Sequence, residues 1–486
     1  MNVNHTASAA QRAREALAEL FRAEIAGLAA SGGVDMASVE DAAIAVGHAA
    51  MAAALGAALE SLDLELRASL PDGCRVKDRR PRTLATKVGD VTFRATRVRS
   101  PLGCSEVPLF DALDLPRGAR ISPAACDLLV EAGCDVSYAR AARLLARAGG
   151  SAVSPSAVMR QMRSAGALCA EEDAALAGSL YGDGVLPGGE EAAAELRIEA
   201  DGTWFSVQGA PGGGPRRCEV KAVCAYAGKE ERGGKVRRVG VARHACVEAP
   251  REFSMEAVAA VGERYDLSKV ERVWVGSDGE GWCKALGAFL PRAEASGRLD
   301  PFHVNRAVLS CFDDPAAGWQ VLWALWDGGE EAAASLLEAS AELGLARPGR
   351  TAQVLGYLRN NMELLAADGP SMGTMESENQ HVYGVRMDSF PCAWSVRGAS
   401  DMARLRSRSV SGRAIPRMTR EGSLSPGRRA ARERREIAAL ARGSAAGVPP
   451  SSGSGYEPPH RASLAAARAD VRYTAGADKG MLAIGG

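Results

Sequence analysis

The 486-residue chain is 47% hydrophobic, and its 59 basic residues balance its 59 acidic ones. That length predicts two to four domains; the apolar share is ample for several buried cores and excludes a wholly disordered chain, and a neutral total argues against a simple basic nucleic-acid binder. The eleven cysteines stand singly, with no CxxC pair, which argues against a disulfide framework or zinc ribbon and points to a reducing, cytoplasmic setting.

Residues 1–70 form a predicted N-terminal helical region, in which Leu17, Leu20, Phe21, Ile25 and Leu28 recur at helical spacing. No secretory signal heads it. Its apolar run from Ala42 to Leu59 is mostly Ala and is flanked by Glu40, Asp41 and Glu60. That run reads as a buried or bundled helix rather than a membrane span. Residues 71–120 read as a basic arm (Arg75, Lys77, Arg79, Arg80, Arg82 and Lys87) leading into a β-hairpin around the alternating stretch Val88 to Arg94. A solvated charged loop would have the same composition.

Residues 121–166 read as three helices. Ser122-Pro123 opens the first, which ends near Gly133. Ser137 caps the second, Tyr138 to Ala148, and Gly149-Gly150 breaks it. Ser154-Pro155 starts the third, Ser156 to Ala165. With Arg140, Arg143, Arg147, Arg160 and Arg163, the arrangement resembles a helix-turn-helix DNA-binding unit, although helices joined by Gly are also ordinary structural units.

Gly182–Glu195 is a Gly- and Glu-rich linker, after which the texture becomes β. Strands are expected at Leu196–Val207, Glu219–Ala227 and Arg237–Val247. A helix follows at Phe253–Tyr265, a strand at Val270–Gly276, a helix at Gly281–Ala293 and a short strand near Leu299. Three strands, helix, strand, helix, strand is the order of an RNase H-like α/β core with a mixed sheet, here over residues 196–304. Residues 305–370 read as an all-α insertion, whose Trp319, Trp323 and Trp326 suit a core stripe. Residues 371–410 complete the core. Residues 411–486 form an Arg-rich tail that becomes Ser/Gly/Pro/Ala-rich and disordered from Gly443.

Three carboxylates stand out. Asp201 ends a predicted strand, Asp278 follows another, and Glu376 opens a helix within Gly373-Thr374-Met375-Glu376-Ser377-Glu378. Asp followed by Gly at a strand's C-terminal end places a carboxylate where sites form in α/β sheets, although Asp-Gly also marks ordinary turns. The first and fourth strands are neighbours in the expected order, so Asp201 and Asp278 should lie side by side. Hard carboxylate oxygens suit Mg²⁺ or Mn²⁺. Two such ions, about 3.5–4 Å apart, would stabilise the attacking and leaving oxygens of a phosphoryl transfer. Asp300 and His303 lie three residues apart and could be a ligand pair, a hydrogen-bonded pair or chance; His303 alone reads equally well as a structural histidine.

The segments Ile198–Trp204, Glu219–Lys221, Gly276–Trp282, Leu299–Arg306 and Gly373–Glu376 recur in that order in one family. Together with Arg386–Arg406 they resemble the bacterial ISLre-type insertion-sequence transposases, which look like a branch of the Mutator-like DDE transposases. The resemblance covers residues 75 to 410. It implies an RNase H-like catalytic core in which Asp201, Asp278 and Glu376 bind two divalent ions. It also implies that Asp300 and His303 form the (C/D)xxH motif and that residues 305–370 are an insertion before the Glu helix. Glu378, two residues after Glu376, leaves open which glutamate binds metal. The implied activity is metal-dependent cleavage at the ends of a DNA element and transfer of the freed 3′-hydroxyl to target DNA. Expected partners are double-stranded DNA and further copies of the chain, with no membrane. Arg79, Arg80, Arg82, Arg140, Arg143, Arg147, Arg160, Arg163, Arg404 and Arg406 would contact the DNA. The alternatives are a non-catalytic DNA-binding repressor and an RNase H-like nuclease that cuts without joining.

The neutral total hides a division. Residues 1–70 carry a net −5, 71–166 a net +7, 167–380 a net −12 and 381–486 a net +10. The basic surpluses fall on the segments expected to touch DNA, and the acidic surplus falls on the expected catalytic core.

Overall fold

A computed structural model describes residues 3–420 apart from 33, 101–102, 104, 117, 209–215, 366–368, 371 and 390–391. The expected disorder from Gly443 lies outside these residues, and of the Arg-rich tail from 411 only residues 411–420 lie within them. The chain divides at Ser164/Ala165 into two compact units, with Arg417 onward assigned to the first.

In the first unit, α1 (Val3–Ala30) and α2 (Met36–Ala68) are the expected helix pair. Asp35 caps α2, accepting from the Ser38 N–H at 2.8 Å. Only a stripe of α2, including Ala52, Gly56 and Asp63, is buried, and the helix packs on α1 and β2: of the two expected readings it is bundled rather than buried, with most of its Ala-rich surface facing outward. It is also long and apolar enough to cross a membrane, by length and composition. The basic arm proves to be a strand. β1 (Arg75–Thr86) pairs antiparallel with β2 (Gly89–Arg99), and β3 (Ser105–Glu106) adds to β2. Val91, Phe93 and Ala95 alternate inward to a core shared with Leu84 and with Leu109 and Phe110 of α3 (Pro108–Ala112). α4 (Pro123–Asp135) and α5 (Tyr138–Gly149) start at their expected serine caps, Ser122 and Ser137. The third helix, α6 (Pro155–Gly182), runs far past its expected end at Ala165. Gly166 does not break it; a Cβ there would lie 2.5 Å from Asp401 Cβ, so this glycine permits a close approach.

The second unit is built on a mixed five-stranded sheet. β4 (Glu195–Val207), β5 (Arg216–Tyr226) and β8 (Ala242–Cys246) form an antiparallel meander. β9 (Arg272–Ser277) joins parallel to β4, and β10 (Glu294–Leu299) parallel to β9, giving the order β10-β9-β4-β5-β8. The expected third strand is split at Gly240, whose φ of +68° turns the chain. Its first part, β7 (Lys235–Val239), instead pairs with β6 (Gly228–Arg232) in a separate ribbon. One sheet face, including Leu196, Ile198, Val273 and Val275, packs on α7 (Pro250–Gly262) through Phe253, Ala257 and Val261. The expected helix at 281–293 shortens to α8 (Gly281–Ala285) and a 3₁₀ turn, because the chain must return to begin β10 at Glu294.

The all-α segment comprises α9 (Pro301–Leu309), α10 (Pro315–Glu342), α11 (Pro348–Asn360) and α12 (Met362–Leu365), with Val304, Val308, Leu322, Leu337, Val354 and Leu358 in its core. The tryptophan stripe is corrected. Val321, Leu322 and Leu325 occupy the inner face of α10, and Trp319, Trp323 and Trp326 are exposed. The chain returns through α13 (Met375–Glu378), a wide π-type turn (Asn379–Gly384) and α14 (Val385–Met387) to α15 (Val396–Ser411), which packs on β8.

Candidate active site

The register of the parallel strands sets the site. Glu199 on β4 pairs with Gly276 on β9, and Ser277 on β9 pairs with Leu299 on β10. Asp201 and Asp278 each lie two residues beyond a paired position, and Asp300 one residue beyond, so three carboxylates stand level along one edge of three adjacent strands. The Asp300 N–H donates to the Ser277 carbonyl at 2.8 Å. Asp201 does not end its strand, as had been expected: β4 continues to Val207 while β9 stops. Gly202 is therefore not a turn residue. Its missing Cβ leaves the space that the Glu219 carboxylate fills. Asp278-Gly279 does leave β9 in a turn, with Gly279 at φ +99°.

Glu376 reaches this edge because its segment is clamped to the sheet. Buried Glu199, on the same face of β4 as Asp201, accepts from the Gly373 N–H at 2.9 Å, the Thr374 N–H at 2.6 Å, the Thr374 hydroxyl at 2.7 Å and the Tyr226 hydroxyl at 2.5 Å. Glu378 is buried and ion-paired with Arg238 and Arg243. Asn379 donates from Nδ2 to Asp201 Oδ2 at 2.7 Å. Of the two glutamates, Glu378 is thus engaged by two guanidinium groups, and Glu376 has no such pair among the described residues. One carboxylate oxygen each of Asp201 and Glu376 and a ring nitrogen of His303 lie within 4.8 Å of one another.

His303 is presented by α9, whose N-terminus Asp300 caps by accepting from the Phe302 N–H at 2.8 Å. Its Nε2 lies 3.8 Å from Asp201 Oδ2 and has no hydrogen-bond partner among the described residues. Asp278 stands outside this tight trio. Its Oδ1 accepts from the Glu280 N–H at 2.9 Å, and with His303 it lines an adjoining cavity of about 260 Å³ whose walls include Arg306, Arg350 and Tyr357. Burial pushes the Asp201 carboxyl up; His303 opposes this, and Asp278 and Glu376 add to it, leaving it at about 6. Burial likewise raises Asp300, against the hydrogen bond from Phe302. Crowded carboxylates and the Oδ1 of buried Asn379, unpartnered among the described residues, are oxygen donors that fit a hard divalent cation, and the imidazole beside them is a softer donor.

Sequence reading missed Glu199 and Asn379. Glu199 had a signal: an acidic residue two before Asp201 falls on the same strand face, between the apolar Ile198 and Ala200. Asn379 had none.

The arginines expected at DNA divide into three groups. Arg140, Arg143, Arg147, Arg160 and Arg163 are exposed on α5 and α6. Arg80 and Arg82 are exposed on β1, although Arg80 pairs with Asp78 at 3.1 Å and Arg82 lies over the Phe110 ring. Arg79 is held by Glu60 and by buried Asp63. The expectation for Arg404 and Arg406 is corrected: both are interior. Arg404 bonds Asp173 at 2.9 Å and Glu256 at 2.6 Å, and Arg406 donates to the Val382 carbonyl at 2.7 Å. Helix α15 is sequestered against β8, which holds these two arginines inside the fold.

A family model described as an uncharacterised protein family, UPF0236, matches residues 31–421. The chain is similar to three proteins of Caldanaerobacter subterraneus subsp. tengcongensis. UPF0236 protein TTE2489 is 24% identical over 334 residues, 66% of this chain and 67% of that protein. UPF0236 protein TTE0402 is 24% identical over 334 residues, 66% of this chain and 63% of that protein. A third, whose name joins eleven designations from TTE0033 to TTE2212, is 23% identical over 332 residues, 66% of each chain. The chain thus spans about two thirds of the length of these relatives. With 391 residues inside the family model, the chain belongs to UPF0236.

Proposed function

We propose that this chain is a DDE-type transposase, a divalent-metal-dependent enzyme that cuts and joins DNA strands. The observation that carries the reading is the convergence of Asp201, Glu376 and His303 at a sheet edge where Asp278 and Asp300 stand level with Asp201. The strand order β10-β9-β4-β5-β8, with one antiparallel meander and two parallel additions, supports an RNase H-like core. A relative carrying eleven designations in one organism is what a sequence present in many copies, as a mobile element would be, is expected to look like.

Asp201, Asp278 and Glu376 would hold Mg²⁺ or Mn²⁺, with His303 beside them; two such ions when bound would stabilise the attacking and leaving oxygens of the transfer. Asp300 caps α9 and so positions His303. Arg306 and Arg350, which line the cavity with Asp278, offer cations for the phosphate being attacked. Each step exchanges one P–O bond for another: water displaces a 3′-oxygen, and the freed 3′-hydroxyl then displaces an oxygen of the target strand. No covalent protein–DNA intermediate is needed, so no Ser or Tyr nucleophile enters.

The test is an assay of cleavage and strand transfer with DNA flanking the gene, in Mg²⁺ or Mn²⁺. The parent chain should cut and join, and Asp278→Asn should do neither while still binding DNA. Full activity of Asp278→Asn would sink the metal assignment. Cleavage without joining would make the protein a nuclease, and DNA binding without either reaction would make it a repressor.

A further inference from the structure

We propose that Trp319, Trp323 and Trp326 form a stacking face for unpaired DNA bases beside the carboxylate site. The inference rests on the reading of that site as a DNA phosphoryl-transfer centre and adds how the strand is held. The three indoles are 44%, 67% and 46% exposed. Their spacing of four and three residues puts them on one face of α10, opposite an inner face already filled by Val321, Leu322 and Leu325. Three large rings on one exposed face add little to the fold and mark a contact surface.

This face is tied to the site. Trp326 donates from Nε1 to Asn305 Oδ1 at 3.3 Å. Asn305 lies on α9 two residues from His303, which stands 3.8 Å from Asp201. On the same helix the Arg306 guanidinium lies 5.7 Å from the centre of the exposed Phe302 ring, and Arg306 also lines the cavity with Asp278. Flat rings and guanidinium groups therefore run together from the surface of α10 to the carboxylates. Single strands are bound by this combination, because every base has a π-face and the intervening phosphates need cations.

The cavity beside Asp278 and His303, of about 260 Å³ and lined by Arg306 and Arg350, supplies the cations that the phosphates of a stacked strand need.

The test uses the full chain in EDTA and two labelled probes, a blunt duplex and the same duplex with a single-stranded end, read by anisotropy and by quenching of tryptophan emission. The parent should prefer the single-stranded end. Trp323→Ala should lose about tenfold or more in affinity for that probe, and Trp323→Phe should recover most of it, with thermal unfolding unchanged in both. Equal affinity of parent and Trp323→Ala for the single-stranded end would overturn the proposal. So would a shift of Trp323→Ala to a smaller species in sedimentation with oligonucleotide binding intact, which would assign the face to a second copy. EDTA keeps the reaction out of this readout. Absence of cleavage in Mg²⁺ would therefore overturn the phosphoryl-transfer reading and leave the stacking result standing, whereas cleavage by a parent that binds both probes alike would overturn the stacking alone.

Discussion

Glu199 and Asp201 leave β4 on the same face two residues apart, and their surroundings give them opposite tasks. Glu199 is saturated: four donors meet its two oxygens, so its charge is stabilised where it lies. Asp201 has one backbone N–H, from Gly202 at 2.8 Å, and one side-chain amide, from Asn379, against the charges of Asp278 and Glu376. Neutralising each should therefore move stability in opposite directions. Glu199→Gln should destabilise the ion-free protein by about 1.5–3 kcal/mol, the range for hydrogen bonds to a charged group, and should free the segment that carries Glu376. Asp201→Asn should stabilise the ion-free protein, by about 1–3 kcal/mol at neutral pH, because the carboxylate it removes is held in a site that disfavours its charge. Thermal unfolding in EDTA and again in Mn²⁺ checks both: the parent should gain stability with Mn²⁺, and neither variant should gain as much. A destabilised Asp201→Asn that still responds fully to Mn²⁺ would mean that Asp201 is a structural carboxylate.

The element that carries Glu376 is only four residues long and cannot hold itself together as an isolated helix. Its position depends on Glu199 before it, Glu378 within it and Asn379 after it. Burial opposes the charge of Glu378, but Arg243 and Arg238 outweigh burial and hold its carboxyl below the usual glutamate value. The folded pKa lies below the unfolded one, so the pair's contribution is fully present above about pH 4.5 and fades as pH falls further. Unfolding midpoints measured from pH 6 down to pH 3 should drop for the parent. In Glu378→Gln they should start lower and fall less steeply over that range. Helix α15 depends on charge in the same way, since Arg404, Arg408 and Arg413 converge on buried Asp173. Arg404→Ala removes the guanidinium partner of Glu256 and one of the three on Asp173, and should cost about 1.5–3 kcal/mol, measured by denaturant unfolding. These elements also mark where sequence stops being informative. The order of strands and helices was legible because periodicity changes from 2 to 3.6 along the chain, and the caps at Ser122 and Ser137 because a hydroxyl before a helix has a local partner. Asp201, Asp278 and Glu376 were legible as acidic residues in glycine-marked turns or helix starts, although the reason for Gly202 was not. Periodicity says which residues share a face, not which of two apolar faces of α10 turns inward. Composition counts the arginines of α15 without showing that Asp173, on α6, neutralises two of them and Arg413 just beyond.

At the scale of the whole chain, the neutral total separates into a basic stretch in the first unit and an acidic one in the second. Residues 71–166 carry a net +7 and residues 167–380 a net −12. A surface of exposed Arg140, Arg143, Arg147, Arg160 and Arg163 attracts phosphates through counterion release, which needs no divalent metal. Carboxylates repel DNA unless cations intervene. The two proposed functions should therefore respond to different variables. DNA binding by the parent in EDTA should be measurable, should be no weaker in Asp201→Asn, and should fall steeply between 50 and 200 mM salt, with a slope of about −0.9 for each phosphate contacted. Replacing Arg143 and Arg147 together by Gln should reduce that slope by about 2 and weaken binding to all sequences alike. Cleavage should show the reverse pattern, abolished by Asp201→Asn at every salt concentration. If binding in EDTA is absent and appears only with Mn²⁺, the DNA is held at the carboxylates themselves, and the arginines of α5 and α6 are a solvated face with no part in recognition.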